Sequence, residues 1–285
     1  ESRHTVSVAV ADGTGQLRAR AGDADLVTFA RSAIKPLQAL PLVDDGVAER
    51  FGFGAAEIAL ACASHGGESF HVDVALGMLR RIGLDEHALA CGSHPPMHDA
   101  TAQRLREVGR APTRIHNNCS GKHAGMLALA RAHNWPVAGY HEIDHPVQQR
   151  MLQEVVRWSG VPPEDVIIAV DGCGVATFAL PLSGMARAFG GLAAAARRGE
   201  KAPATIVRSM ATYPEYVGGT NPRGESYFWH PLKLLDKQQR RQQCDVDFEW
   251  CENGYIVVSP LHWDWTDVPF MKELEESKAL QFDVK

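Results

Sequence analysis

The 285 residues carry 29 basic and 34 acidic side chains, a net charge of −5, with no basic run that would follow a phosphate backbone, so nucleic acid is not an expected partner. A chain this long can bury its own core, and its six scattered cysteines (Cys62, Cys91, Cys119, Cys173, Cys244, Cys251) read as reduced thiols or metal ligands rather than a disulfide framework. No run of about 18 apolar residues is present and the first residues lack the basic start and apolar core of a signal peptide, which points to a soluble, cytoplasmic protein with no membrane partner.

The first element expected is a hairpin, because "HTVSVAVADGTGQLRAR" alternates apolar and polar residues around a glycine-rich turn. "DLVTFA" reads as a further strand. In "RSAIKPLQALPLVDDG" the apolar spacing predicts a helix with Ser32 as its N-cap; Pro36 is tolerable in the first turn, and Pro41 should kink or shorten the rest of the helix. Helices are then expected over "AAEIALACA", "SFHVDVALGMLRRIG", "HDATAQRLREVG", "GKHAGMLALARAHN" and "HPVQQRMLQEVVRWSG", each closed by glycine or asparagine. "DVIIAV" is an apolar run of strand length ending at "DGCG", and "GMARAFGGLAAAARRG" and "PATIVRSMATY" read as helices. Strands at the beginning and in the later part, with helices between, favour an α+β arrangement over a doubly wound sheet.

Composition breaks near residue 220. Residues 1–220 hold 18 arginines but three lysines, Lys35, Lys122 and Lys201, whereas the last 65 residues hold five lysines, one alanine, two glycines and four of the six tryptophans. We therefore treat 1–220 as one unit and 221–285 as another, divergent, fused or frameshifted. In the latter "GYIVVSP" reads as a strand and "VPFMKELEESKAL" as a short helix.

Four stretches can carry chemistry. Ser32 and Lys35 lie three apart, so on a helix they share a face, and a buried lysine beside a serine can serve as the base that activates it. A plain helix cap is the commoner meaning of such a serine. In "CASHGGE" an apolar helix gives way to Ser64, His65 and two glycines, a junction that either exposes a reactive serine or simply ends the helix. In "HNNCSGKHAG" and "DGCG", Cys119, Lys122 or His123, and Cys173 can meet at a metal, although the spacing fits no common zinc pattern and buried inert cysteines are the plainer reading. Asp171, at a strand end, can hold a substrate ammonium or a hydroxyl, or start a turn. His94 and His98 read as loop or packing residues.

Taken together and in this order, "ESRH", "RSAIKPLQALPL", "CASHGGESFH", "CGSHPP", "NNCSGKHAGML", "DGCGVATFALPL" and "YPEYVGGT" resemble the rhizobial-type L-asparaginase II family, over residues 1–220. The resemblance implies an α+β fold like that of serine β-lactamases and glutaminases, an antiparallel sheet flanked by helices plus a mainly helical region. It implies hydrolysis of L-asparagine to L-aspartate and ammonia by a homodimer. Carried over by motif, Ser32 and Ser64 are nucleophile and partner and Lys35 the base; Cys119, Lys122 and Cys173 are zinc ligands; Arg31, His123 and Asp171 surround the substrate. A lysine-containing zinc site is expected to orient substrate more than to generate hydroxide. Glutaminase or β-lactam hydrolysis is the alternative acyl-transfer chemistry, and a zinc-bound remnant without turnover the alternative outside catalysis. After "YPEYVGGT" the family continues with a lysine serving a second serine–lysine pair, to which neither Lys233 nor Lys237 aligns, and it has a strand ahead of "ESRH".

Overall fold

The computed structural model describes residues 6–220 and the backbone of 256–258. The hairpin forms as expected from β1 (Val8–Ala11) and β2 (Leu17–Ala21), with Val8 opposite Ala21 and Val10 opposite Ala19. Gly15, at φ +82°, supplies the left-handed residue the turn requires. β3 (Val27–Phe29) follows.

The stretch expected to be a helix kinked or shortened at Pro41 is three short pieces. A 3₁₀ turn over Arg31–Ile34 leads into α1 (Lys35–Ala39), with Pro36 in its first turn, and α2 (Pro41–Asp44) begins at the second proline. Ser32 is not an N-cap: Ala30 takes that position, and Ser32 sits inside the 3₁₀ turn with its hydroxyl turned to another side chain. The helical middle comprises α3 (Val47–Phe51), α4 (Ala55–Ala61), α5 (Ser69–Arg81), α6 (Asp99–Glu107), α7 (Ser120–Ala132) and α8 (Pro146–Ser159). Left-handed Gly83, Gly109, Asn134 and Gly160 close the last four of these. α7 is buried from Ser120 to Ala130, as an all-round apolar helix must be, and its polar start is the exception the site exploits.

β4 (Ile167–Val170) is the predicted apolar strand, and β5 (Ala176–Pro181), α9 (Leu182–Arg197), α10 (Lys201–Thr212) and α11 (Pro214–Gly218) complete residues 6–220. β5 carried no strand signal, since two alanines and a terminal proline lower its propensity, yet it is the central strand of its sheet. β6 (Ile256–Val258) falls within the expected "GYIVVSP" strand; the helix expected at 268–280 lies outside the described residues.

The fold is α+β, with two three-stranded antiparallel sheets rather than one, in orders β2-β1-β6 and β3-β5-β4. α9 packs on β1, and close approach there needs Gly190, whose added Cβ would lie 2.5 Å from the Asp12 carbonyl oxygen. Gly121 does the same for α7 against α4, where a Cβ would lie 2.8 Å from the Leu60 carbonyl. That contact brings the start of α7 beside the end of α4, and so Cys119 beside Ser64. No described helix is long and apolar enough to cross a membrane.

Candidate active site

Four segments converge: the 3₁₀ turn and start of α1, the "SHGGE" loop after α4, the start of α7, and the β4–β5 turn. The four cysteines among the described residues, Cys62, Cys91, Cys119 and Cys173, are all buried and unpaired.

Lys35 is the hub. It is 1% exposed, and its Nζ donates to the Ala63 carbonyl at 2.5 Å, to Ser64 Oγ at 2.7 Å and to Cys119 Sγ at 3.2 Å. Ser64 Oγ in turn donates to Ser32 Oγ at 2.7 Å. The lysine therefore reaches Ser32 through Ser64, not across the three-residue spacing that first paired them. Burial lowers the Lys35 pKa below that of an ordinary lysine, with the Cys119 charge partly opposing. Ser32 itself is exposed and Ser64 half-buried, so the proton path runs from the interior to an open end.

The residue before Ser32 is held in an unusual conformation. Arg31 has φ +46°, a left-handed backbone that side chains other than glycine and asparagine seldom adopt. Its guanidinium donates to Asp171 Oδ1 at 2.9 Å, tying the 3₁₀ turn to the β4–β5 turn. That turn closes through Asp171 N–H to the Val175 carbonyl at 2.8 Å and Gly174 N–H to the Asp171 carbonyl at 2.8 Å, with Gly174 at φ +89°.

Cys173, in the same turn, meets Lys122, whose Nζ donates to Cys173 Sγ at 3.1 Å. Hydrogen bonding from Cys173 lowers the Cys119 thiol despite its burial, and the Lys35 and Lys122 charges assist. The same hydrogen bond and burial raise Cys173, so the two thiols titrate as a pair. Burial works to lower Lys122, but the charges of the two cysteines outweigh it and hold this ammonium above its ordinary value. Among the described residues no three His, Cys, Asp or Glu side chains gather closely enough to hold a metal ion. A metal here would need Lys122 beside the two cysteines.

The "SHGGE" loop is fixed on both sides of Ser64. His65 is fully buried; Gly67 N–H donates to its Nδ1 at 3.2 Å, and its Nε2 faces Ser120 Oγ at 3.1 Å. His65 N–H donates to the Asn118 carbonyl at 3.1 Å. Glu68 accepts from Thr220 N–H at 3.1 Å and Thr220 Oγ1 at 2.5 Å, closing the "YPEYVGGT" segment onto the loop. His94 and His98 serve loop structure: His94 Nε2 accepts from Asn118 N–H at 3.1 Å, and His98 Nδ1 lies 2.8 Å from Thr101 Oγ1.

His123 follows Lys122 on α7 and is fully buried; burial, then the Lys122 and Lys35 charges, hold its pKa well below the usual histidine value. Its Nδ1 lies 2.6 Å from the Tyr140 hydroxyl. All nine residues singled out from the sequence thus lie in or beside these four segments. Sequence reading missed Tyr140 and gave His65 and Glu68 no role. Tyr140 sits in "VAGYHEIDHP", a loop without periodicity, where no pattern marks it.

A family model described as L-asparaginase II matches residues 1–225 of the chain. Short matches are also found to the 5'-nucleotidase SurE of Wolinella succinogenes (36% identical over 55 residues, 19% of this chain and 21% of that protein). The SurE protein of Aliarcobacter butzleri is 41% identical over 58 residues, again 19% of this chain and 21% of that protein. The chain spans about a fifth of the length of these curated relatives.

Proposed function

The chain belongs to the L-asparaginase II family, and on that premise we propose that it hydrolyses L-asparagine to L-aspartate and ammonia with Ser32 as nucleophile. The observation that carries this reading is the continuous path Lys35–Ser64–Ser32, two hydrogen bonds of 2.7 Å ending on an exposed hydroxyl. With Lys35 as the ammonium, the path donates outward. A neutral Lys35 reverses it: Ser32 gives its proton to Ser64 Oγ as Ser64 gives its own to Nζ. The Ser32 oxygen then attacks the side-chain amide carbon, and the same path returns a proton to the departing ammonia. Water then gives its proton to Ser64 Oγ as Ser64 gives its own to neutral Lys35, attacks the ester carbonyl, and releases L-aspartate as the relay returns a proton to Ser32 Oγ. One lysine serves both hydroxyls in this scheme, so a second lysine is not required for proton balance.

Arg31 and Asp171 are the charged pair beside the exposed serine, suited to an amino acid's carboxylate and ammonium. Backbone N–H groups of the Ser32 turn or the "SHGGE" loop are the candidate oxyanion donors. Zinc belongs to the same proposal. Cys119, Cys173 and Lys122 would hold it, each giving up its proton, and Lys122 Nζ already lies 3.1 Å from Cys173 Sγ. Bound there, zinc would supply fixed positive charge that orients substrate rather than hydroxide. A homodimer is part of this reading and rests on the family resemblance; a cytoplasmic location is proposed with it. Residues 221–285 are proposed as a distinct segment, of which residues 256–258 pair with β1.

Ammonia release from L-asparagine tests the reading. The intact chain should release ammonia from L-asparagine faster than from L-glutamine, and Ser32→Ala should abolish release while melting at the same temperature. Full turnover by Ser32→Ala would remove Ser32 as the nucleophile.

A further inference from the structure

We propose that Tyr140 sets His123 as an Nε2–H donor, held for an oxygen of the bound amino-acid amide. The acceptor's identity rests on the asparaginase reading; the donor assignment does not. Tyr140 is 1% exposed, and its hydroxyl meets two groups: Ala90 N–H, which donates to it at 2.9 Å, and His123 Nδ1 at 2.6 Å. A backbone N–H can only donate, so the hydroxyl accepts there. Its own proton then has His123 Nδ1 as its acceptor. A neutral ring whose Nδ1 accepts carries its proton on Nε2, and Nε2 is buried with no partner among the described residues.

The opposite tautomer is worse on its own terms. Placing the ring proton on Nδ1 would leave the tyrosine proton without an acceptor and Nε2 as a bare acceptor, two buried groups unsatisfied instead of one. The arrangement is also rigid. The two rings meet edge to face, at 85° with centroids 5.6 Å apart. Gln148 Nε2 donates to the Tyr140 carbonyl at 2.9 Å, while Gln148 Oε1 accepts from Ala176 N–H at 3.3 Å, pinning Tyr140 to the strand that leaves the Cys173 turn. His123 N–H donates to the Cys119 carbonyl at 3.0 Å, one helical turn back. A buried, positioned N–H beside Lys122 is suited to an oxygen acceptor, and a ring with Nε2–H has no lone pair there to offer a metal.

Histidine ring ¹⁵N spectra of the full chain near neutral pH, with His123 assigned from His123→Gln, should show Nε2 protonated and Nδ1 as acceptor. An Nδ1–H tautomer overturns the proposal, as does loss of the Nε2 proton when Zn²⁺ is added. L-Aspartate should shift the Nε2 signal. A glutamine amide nitrogen reaches the Nε2 position and an asparagine one the Nδ1 position, so His123→Gln should keep L-aspartate affinity within about threefold while His123→Asn loses about tenfold or more. Equal binding by both variants overturns the donor. Tyr140→Phe, which removes the positioning bond together with the acceptor of Ala90 N–H, should move the Nδ1 signal to its unbonded value and raise KM about tenfold with kcat little changed; an unmoved Nδ1 signal contradicts its role. If the chain neither binds L-aspartate nor releases ammonia, the asparaginase reading fails, while the ring spectra still decide the donor.

Discussion

Two charge clusters, one centred on Arg150 and one on Cys119, are built for opposite ends. Between α2 and α8, Arg150 donates to both oxygens of Asp45, at 2.9 and 3.1 Å, and to Glu154 at 2.5 Å. Glu154, 2% exposed, also accepts from Trp158 Nε1 at 3.0 Å. Every charge there has a partner of opposite sign, and the arginine stays ionised because its carboxylate bonds outweigh its burial. Around Cys119 the cations are lysines, the partners are thiols, and the balance is incomplete. Burial wins at Lys35 and loses at Lys122, so one lysine is pushed toward the neutral form and the other held as a cation. Arginine could not be pushed at all. The difference explains why a domain with 18 arginines and three lysines spends two of the three lysines here, the third being Lys201, exposed in an ion pair with Glu49.

If the lysine cluster is chemical and the arginine cluster structural, substitutions should separate them cleanly. Lys35→Met keeps a buried stem but removes the base, and should cut kcat for ammonia release by about 10³-fold, within the range for general-base loss. Its folding stability near neutral pH should not fall comparably, because a lysine whose folded pKa is depressed costs stability wherever the unfolded residue is protonated. The intact chain's kcat should rise with pH through the lowered Lys35 pKa, since the neutral form is the working one, and the rise should be absent from the residual activity of Lys35→Met.

Arg150→Met should show the reverse pattern. Removing the cation that Asp45 and Glu154 share, while His133 stays beside Asp45 and Arg157 beside Glu154, should cost about 2 kcal/mol in denaturant unfolding, with kcat within about twofold because no site residue is touched. A loss of turnover larger than the loss of stability would mean that the two clusters are coupled through α8. Arg31→Ala is the mildest test. Its guanidinium side chain is 67% exposed, so the Asp171 pair should contribute well under 1 kcal/mol to stability. The KM for L-asparagine should nonetheless rise several-fold, about 1 kcal/mol of binding, if this pair meets the substrate.

The sequence made the helices and the first hairpin legible because amphipathic spacing and closing glycines are local signals. It anticipated Pro36 in a first turn and the break at Pro41, but not the 3₁₀ turn over Arg31–Ile34 that precedes Lys35. Nor did it reveal β5, whose alanines form the middle of a sheet only because β3 and β4 flank it. In the site, the scarcity of lysine was a usable clue, whereas the connectivity was not: spacing joined Lys35 to Ser32, while the fold inserts Ser64 between them. Tyr140 was invisible for the same reason, as its role depends on a contact with α7 that no spacing encodes.

The claim that Ser32 ends the proton path, with Ser64 in its middle, is open to direct observation. Mixing the intact chain with L-asparagine, quenching in acid during turnover and mapping the adduct by peptide mass spectrometry should place an aspartyl ester on Ser32. An adduct on Ser64 or on Cys119, or steady ammonia release with no acylated residue, would contradict the account.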